Sequence, residues 1–194
     1  MELEQIEQEI INCKKCSLYK TRKNPVVGHG LKNAQIMFVG EAPGFHEDEK
    51  GEPFIGAAGK ILDEVLKSAK LSREDIYITN IIKCRPPKNR NPSKEEIKLC
   101  TPYLDKQIAI IKPKIICCLG NFSTKFIMEK YNLESKIKGI TKIHGEVFEV
   151  STFDDILKII PMFHPAVATY DIRKLDLLKK DALVLYKLNN LTKP

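Results

Sequence analysis

Four short runs of apolar residues recur along the chain. They cover residues 36–39, 76–82, 114–120 and 157–163. A run of this length that is apolar at most positions, rather than at alternate ones, is typical of a strand buried on both faces of a parallel sheet. The pattern therefore predicts four strands of a central sheet.

Between these runs the apolar residues follow a helical spacing. The spacing predicts helices over residues 2–12, 56–70, 93–111, 122–130 and 171–188. Ser93 and Glu96 form a capping-box pair at the start of the third helix. We expect Pro102 to kink that helix or to restart it. Two short strands are predicted in the less regular stretch of residues 140–150.

Strands and helices alternate throughout, which indicates the α/β class. We expect a three-layer αβα arrangement around a mainly parallel central sheet of about four strands. The chain has 194 residues and no internal repeat. One domain over residues 1–194 is therefore the expectation.

Composition narrows the class of protein. At 43% hydrophobic and 29% charged residues, the chain is predicted to be globular. No apolar run is long enough to span a bilayer, and the acidic N-terminus is unlike a signal peptide, so we expect a cytoplasmic protein. The net charge of +7 favours an acidic partner such as nucleic acid. Abundant charge without Trp hints at a thermophilic source.

Six cysteines in an intracellular chain favour metal or redox roles over structural disulfides. Cys117 and Cys118 fall inside an apolar run and are interpreted as core residues. The other four are Cys13, Cys16, Cys84 and Cys100. The CxxC spacing of the first two suits a metal centre, and a zinc site, a redox pair and a tetrathiolate [4Fe-4S] cluster all remain open.

Candidate pocket residues cluster at the carboxyl ends of the predicted strands. Glu41 follows the first strand, Asn80 lies near the end of the second, and His164 ends the last. Phe54 lies just before the helix that returns from the first strand. Because ligands bind at the carboxyl edge of open α/β sheets, these four side chains are expected to converge. We expect a flexible acidic loop after Glu41.

Three segments and the four cysteines carry a resemblance to a known family. GEAPGFHEDEKGEPFIGAAGK, YITNIIKCRPP and MFHPA resemble the family 4 uracil-DNA glycosylases, the iron-sulfur branch of the uracil-DNA glycosylase superfamily. The resemblance implies a monofunctional enzyme that flips uracil out of single- or double-stranded DNA and hydrolyses its N-glycosidic bond, initiating base excision repair. It also implies a [4Fe-4S] cluster on Cys13, Cys16, Cys84 and Cys100, and we expect a monomer.

The resemblance also implies a role for each pocket residue. Phe54 would stack on the extruded uracil. The Asn80 amide would accept from N3–H and donate to O4, a pattern that cytosine presents in reverse. Backbone groups of Gly40, Glu41 and Ala42 would surround the O2 edge and the sugar. His164 would stabilise the negative charge that develops on the departing base.

Two positions depart from the best-known branch of the superfamily. Where Ala42 stands, that branch has an aspartate that orients the attacking water. Either Glu41 takes this role, which is our hypothesis, or the reaction relies on leaving-group stabilisation alone. Where Gly44 stands, it has a tyrosine that excludes the C5 methyl of thymine. Glu47, in the same segment, is our candidate for that exclusion, and the alternative is that Glu47 is only a solvated acid.

Extrusion of a base also requires a group to fill the gap in the duplex. Tyr170 is the first bulky residue after the HPA motif, and we predict that it, with Val167, wedges into DNA. The alternative is that Tyr170 only packs against the last helix. Basic residues of the CKKC and RPPKNR segments are expected to contact phosphates, and a sliding clamp is a candidate partner.

The sequence leaves two other functions open. A related glycosylase could act on hypoxanthine or other deaminated bases, although an Asn80 amide favours a pyrimidine. A non-catalytic DNA-binding module with a redox-active cluster is the alternative from another class. Such a module would have no need of the leaving-group histidine, His164.

Overall fold

The computed structural model of the chain describes residues 2–152 and 155–191. Its centre is a six-stranded mixed sheet with the order β1-β3-β2-β4-β6-β5. The strands are β1 (His29–Gly30), β2 (Ile36–Gly40), β3 (Tyr77–Asn80), β4 (Ile115–Leu119), β5 (Phe148–Ser151) and β6 (Ile156–Met162). The prediction of about four strands is therefore wrong in number, and the prediction of the α/β class is confirmed.

The four predicted apolar runs supply the central strands β3, β2, β4 and β6, which pair in parallel. The two additional strands flank them in antiparallel orientation, β1 against β3 and β5 against β6. β1 has only two residues, which is too short to produce an apolar pattern. The stretch of residues 140–150 yields one strand, β5.

Helices cover both faces of the sheet. They are α1 (Leu3–Ile11), α2 (Phe45–Lys50), α3 (Ala57–Ser68), α4 (Lys94–Ile111), α5 (Asn121–Lys130), α6 (Ile140–Ile143), α7 (Val167–Tyr170) and α8 (Arg173–Leu191). Met37 and Val39 of β2 contribute to the core that includes α1 and α4. Ile36 and Phe38 point to the opposite core, which includes α3 and α8. This alternation follows from the two-residue period of a strand.

Two local predictions need correction, and one alternative for α4 is decided. The segment after Glu41 is the helix α2 rather than a flexible loop, because the Asp48 carboxylate accepts from the main-chain N–H of Lys23 at 2.9 Å. Residues 140–143 form a helix rather than a strand, since Asn121 Oδ1 accepts from the N–H of Ile140 at 2.9 Å. Helix α4 continues through Pro102 without a restart, and its Ser93–Glu96 capping box is present as predicted.

Two further expectations can be compared with the structure. Cys117 and Cys118 are fully buried in β4, which confirms their interpretation as core residues. Among the described residues, no helix combines the length and the apolar character that a membrane span requires.

Candidate functional site

A cleft of about 360 Å³ opens at the carboxyl edge of the parallel strands. Its lining includes Glu41, Ala42, Glu47, Phe54, Asn80 and His164. Gly40 lies directly beneath, where a Cβ would be 2.3 Å from Asn80 Oδ1 and 2.7 Å from the Phe54 ring. Residue 40 must therefore be glycine for the asparagine and the aromatic ring to approach each other. The three strand-end residues and Phe54 therefore line one cleft, as the sequence predicts.

The main chain of Phe54 is held in an unusual conformation. Its φ of +52° lies in the left-handed region, which costs free energy for a residue with a side chain. The guanidinium of Arg73 donates to the carbonyls of Pro53 and Phe54 and pairs with Asp63 at 2.6 Å. These contacts offset the strain, and they fix the Phe54 ring in the cleft wall, 5.8 Å from the His164 ring between centroids.

Asn80 is 2% exposed and lines the cleft. Within the described part of the chain, no group hydrogen-bonds to its side-chain amide. A buried amide normally has partners, so this one is available to a ligand. The Asn80 carbonyl accepts from the ammonium of Lys83 at 2.7 Å.

His164 has a defined arrangement of its ring nitrogens. Nδ1 accepts from the main-chain N–H of Ala166 at 3.2 Å, so the proton of the neutral ring belongs on Nε2. Burial lowers the pKa of His164, and the nearby Glu47 charge opposes this only in part. The neutral ring therefore presents Nε2–H as a hydrogen-bond donor at neutral pH.

Two carboxylates line the cleft in different environments. Glu41 has no hydrogen bond or ion pair to its carboxylate among the described residues, and burial raises its pKa. Glu47 Oε1 accepts from the main-chain N–H of Ile55 at 3.1 Å and of Gly56 at 3.0 Å. The first carboxylate is thus available to a small ligand, whereas the second is fixed in place.

Part of the cleft wall comes from the segment after β3, which the sequence did not assign to the pocket. Pro86, Asn89 and Asn91 also line the cleft. Arg85 donates to Asn89 Oδ1 at 2.7 Å, and its guanidinium lies over the exposed ring of Phe45 at 5.0 Å. The position of this segment directly after β3, at the same edge of the sheet as Asn80, could have predicted that it lines the cleft.

The proposed wedge residues lie on the short helix α7 rather than on a loop. Tyr170 is 91% exposed, which argues against the alternative that it packs against the last helix. Val167 is partly buried and packs against the core. Neither residue lines the cleft, although the preceding Ala166 does.

Cys13, Cys16, Cys84 and Cys100 line one small cavity, and we call these four residues the cysteine cage. Arg22 donates to Cys84 Sγ at 3.0 Å, and the main-chain N–H of Lys83 donates to Cys100 Sγ at 3.2 Å. No cysteine of the described chain lines the cleft. The cage is therefore a separate centre beside the cleft.

The chemistry of the cage suits a metal group. Burial raises the pKa of Cys100 to about 11 and also raises that of Cys84, so the free thiols stay protonated at neutral pH. A bound metal group would deprotonate them and balance the charge. In the part of the chain that the structure describes, no group of three or more His, Cys, Asp or Glu side chains is arranged to hold a metal ion.

Comparison with known proteins relates the chain to one family. The family model described as Uracil DNA glycosylase superfamily matches residues 27–185. A Type-4 uracil-DNA glycosylase of Archaeoglobus fulgidus is 49% identical over 87% of this chain and 83% of its own length. The Type-4 enzyme of Sulfurisphaera tokodaii is 47% identical over 92% and 81%, and that of Thermotoga maritima is 40% identical over 84% and 81%.

Proposed function

This chain belongs to the uracil-DNA glycosylase superfamily, in its type 4 branch, and we propose that it releases uracil from DNA as the first step of base excision repair. The observation that carries the proposal is the convergence of Phe54, Asn80 and His164 on one cleft. An aromatic face, an unpaired amide and a neutral imidazole donor are what a site needs in order to stack, read and release a pyrimidine. The reaction is hydrolysis of the N-glycosidic bond.

Recognition of the base follows from the free amide of Asn80. Its oxygen accepts from uracil N3–H and its nitrogen donates to O4, whereas cytosine presents an acceptor and a donor at the same two positions. The enzyme takes the base out of the stack to reach this amide. The Phe54 ring then covers one face of the flipped base, and main-chain groups of residues 40–42 surround its O2 edge and the sugar.

Bond cleavage places negative charge on the departing uracil. His164 Nε2–H donates to O2 and stabilises this charge as the bonding electrons leave with the base, as in an oxyanion hole. Water adds its oxygen to C1′ of the sugar and loses one proton, and the departing uracil anion gains one. We assign the orientation of this water and the acceptance of its proton to Glu41, whose carboxylate is free of protein partners among the described residues.

Exclusion of thymine is assigned to Glu47. This carboxylate is held by two main-chain N–H groups in the cleft wall. A fixed, charged group beside the small Gly44 leaves no room for an added methyl and has no favourable contact with one. Glu47 therefore takes the place of the bulky side chain that residue 44 lacks.

The cysteine cage is proposed to hold a [4Fe-4S] cluster. Cys13, Cys16, Cys84 and Cys100 line one small cavity, and four thiolates are the ligand set that such a cluster takes. Such a cluster would connect the N-terminal segment to the end of β3 and to α4, a structural role at a distance from the reacting bond.

DNA is the proposed partner, in single- or double-stranded form. Basic residues surround the cage in the CKKC segment and follow β3 in RPPKNR, where they can contact phosphates. Exposed Tyr170 can enter the gap left by the flipped base. A monomer, a thermophilic source and a sliding-clamp contact stay predictions. The C-terminal segment considered for the clamp ends in residues 192–194, which lie outside the described residues.

An oligonucleotide with a single uracil tests the proposal directly. The purified protein is incubated with the labelled strand, which is then cleaved with alkali at any abasic site. Matched strands carry thymine, cytosine or hypoxanthine at the same position. Cleavage of the uracil strand alone supports the proposal, and cleavage of the hypoxanthine strand indicates a wider range. If no strand is cleaved by protein with a full content of iron, the function is binding rather than catalysis.

A further inference from the structure

A fully buried lysine lies between the cysteine cage and the cleft. Lys83 is 1% exposed. Its ammonium donates to three oxygens, each at 2.7 Å, which are Thr79 Oγ1, the Asn80 carbonyl and Gln107 Oε1. All three acceptors are neutral, and among the described residues no carboxylate pairs with the ammonium. Lysine is almost never fully buried unless it is paired, so the three acceptors that hold this side chain are a specific feature of the fold.

The cysteine cage lies on the other side of Lys83. Lys83 immediately precedes Cys84, and its main-chain N–H donates to Cys100 Sγ at 3.2 Å. Lys83 also lines the small cavity that the four cysteines surround. One residue therefore contacts both the cage and the main chain of Asn80.

The side chain of Lys83 fixes the main chain of Asn80. The side-chain amide has no hydrogen-bond partner among the described residues, so its orientation depends on the main chain to which it is attached. That main chain turns sharply after β3, and the ammonium holds the carbonyl of Asn80 from three residues further on. Gln107 is itself fixed, since its Nε2 donates to the Val27 carbonyl at 2.7 Å and to the Tyr77 hydroxyl at 3.1 Å.

We propose that Lys83 is a positioning residue for base recognition, which holds the Asn80 amide in its reading orientation and connects it to the cysteine cage. This inference rests on the proposed function. Lys83 does not line the cleft and acts on the base through Asn80. Binding of the cluster and accuracy of base recognition are thereby coupled through one side chain.

The test uses Lys83→Met, which removes the ammonium and keeps an unbranched apolar stem. Lys98→Met, at an exposed position of α4, is the matched control. We measure kcat/KM on the uracil oligonucleotide, inhibition by free uracil, iron per chain and thermal unfolding. Loss of a charged hydrogen bond predicts a kcat/KM lower by about tenfold or more and weaker inhibition by uracil. Lys98→Met is expected to match the wild type.

A double-mutant cycle separates positioning from general damage. If Lys83 acts through Asn80, the substitution Lys83→Met changes the rate by less than about twofold when Asn80 is already alanine. An equal loss of rate with asparagine and with alanine at residue 80 would overturn the proposal. A loss of rate that is fully explained by a lower iron content would overturn it as well. Thr79→Val removes one acceptor of the ammonium and should lower the rate by about threefold, again only when Asn80 is present. This variant replaces Lys83→Met in the cycle if Lys83→Met does not fold.

Failure of the inference can be told apart from failure of the function. Wild-type protein that releases no uracil would refute the proposed function itself. An active wild type together with a fully active Lys83→Met variant would refute only the role of Lys83.

Discussion

The Glu47 carboxylate fills the space that a side chain at residue 44 would need, because its Oε2 lies 2.7 Å from the position of a Cβ on Gly44. The other carboxylate oxygen is held by the main-chain N–H groups of Ile55 and Gly56. Gly44 and the acid three residues after it thus form one wall of the cleft. Specificity can depend on this wall even though residue 44 has no side chain.

We expect Glu47→Ala to release thymine from DNA, since the substitution opens the wall at the proposed position of the C5 methyl group. The measurement is excision from a thymine oligonucleotide beside a uracil oligonucleotide of the same sequence. Glu52→Ala, an exposed acid just beyond α2, is the control and should excise uracil alone. Unchanged discrimination by Glu47→Ala would show that thymine is excluded elsewhere.

Glu41→Gln should lower the single-turnover rate of uracil release by about 100-fold or more, because an amide cannot accept the proton of the attacking water. Burial raises the pKa of Glu41, so the wild-type rate should fall on acidification at a higher pH than for an exposed carboxyl group. This fall of the rate at acidic pH should be absent from the pH–rate profile of Glu41→Gln. A near-normal rate would show that Glu41 does not activate the water. Other polar residues of the cleft, such as Asn89 and Asn91, would then be the candidates for this role.

Tyr170→Ala should weaken activity on duplex DNA more than inhibition by free uracil, since the wedge contacts the duplex and not the base pocket. Base–aromatic stacking is worth about 1–3 kcal/mol, which predicts a loss of about tenfold or more. Ile172→Ala is the matched control, because Ile172 is 66% exposed in the same segment. Equal DNA affinity and activity for Tyr170→Ala and the wild type would leave the wedge without support.

Cys84→Ala should lose bound iron and the visible absorbance of a cluster, whereas Cys117→Ala should keep both. The same atoms are removed in each case, but Cys117 lies within β4, away from the cage. Iron per chain and thermal unfolding are the two measurements. The variant Cys84→Ala is expected to unfold at a lower temperature, because a metal group that binds only the folded state stabilises it. Full iron content in Cys84→Ala would contradict the assignment of the cage.

Strongly apolar runs made the centre of the fold predictable from the sequence. β2 and β4 are buried at every position, so a single segment carries enough information to identify each strand. The strand ends then place Asn80 and His164 at one edge, because parallel strands share a direction. That geometric rule was sufficient to bring the pocket residues together.

The predictions failed where distant contacts decide local structure. Residues 45–50 are helical because acidic side chains bind main-chain groups far along the chain, as Asp48 does at Lys23. Nothing local indicates that Lys83 is buried, since a lysine beside a CRPP motif is expected at the surface. The interior site of its ammonium depends on Gln107, which lies 24 residues away.

Rate loss in His164→Ala tests the central claim most directly. The variant and the wild type are compared in single-turnover release of uracil, with His29→Ala, at an exposed position of β1, as the matched histidine control. Removal of the donor that stabilises the departing base predicts a rate lower by about 10²–10³-fold with a normal iron content, and a wild-type rate for His29→Ala. Release of uracil at the wild-type rate by His164→Ala would contradict the account.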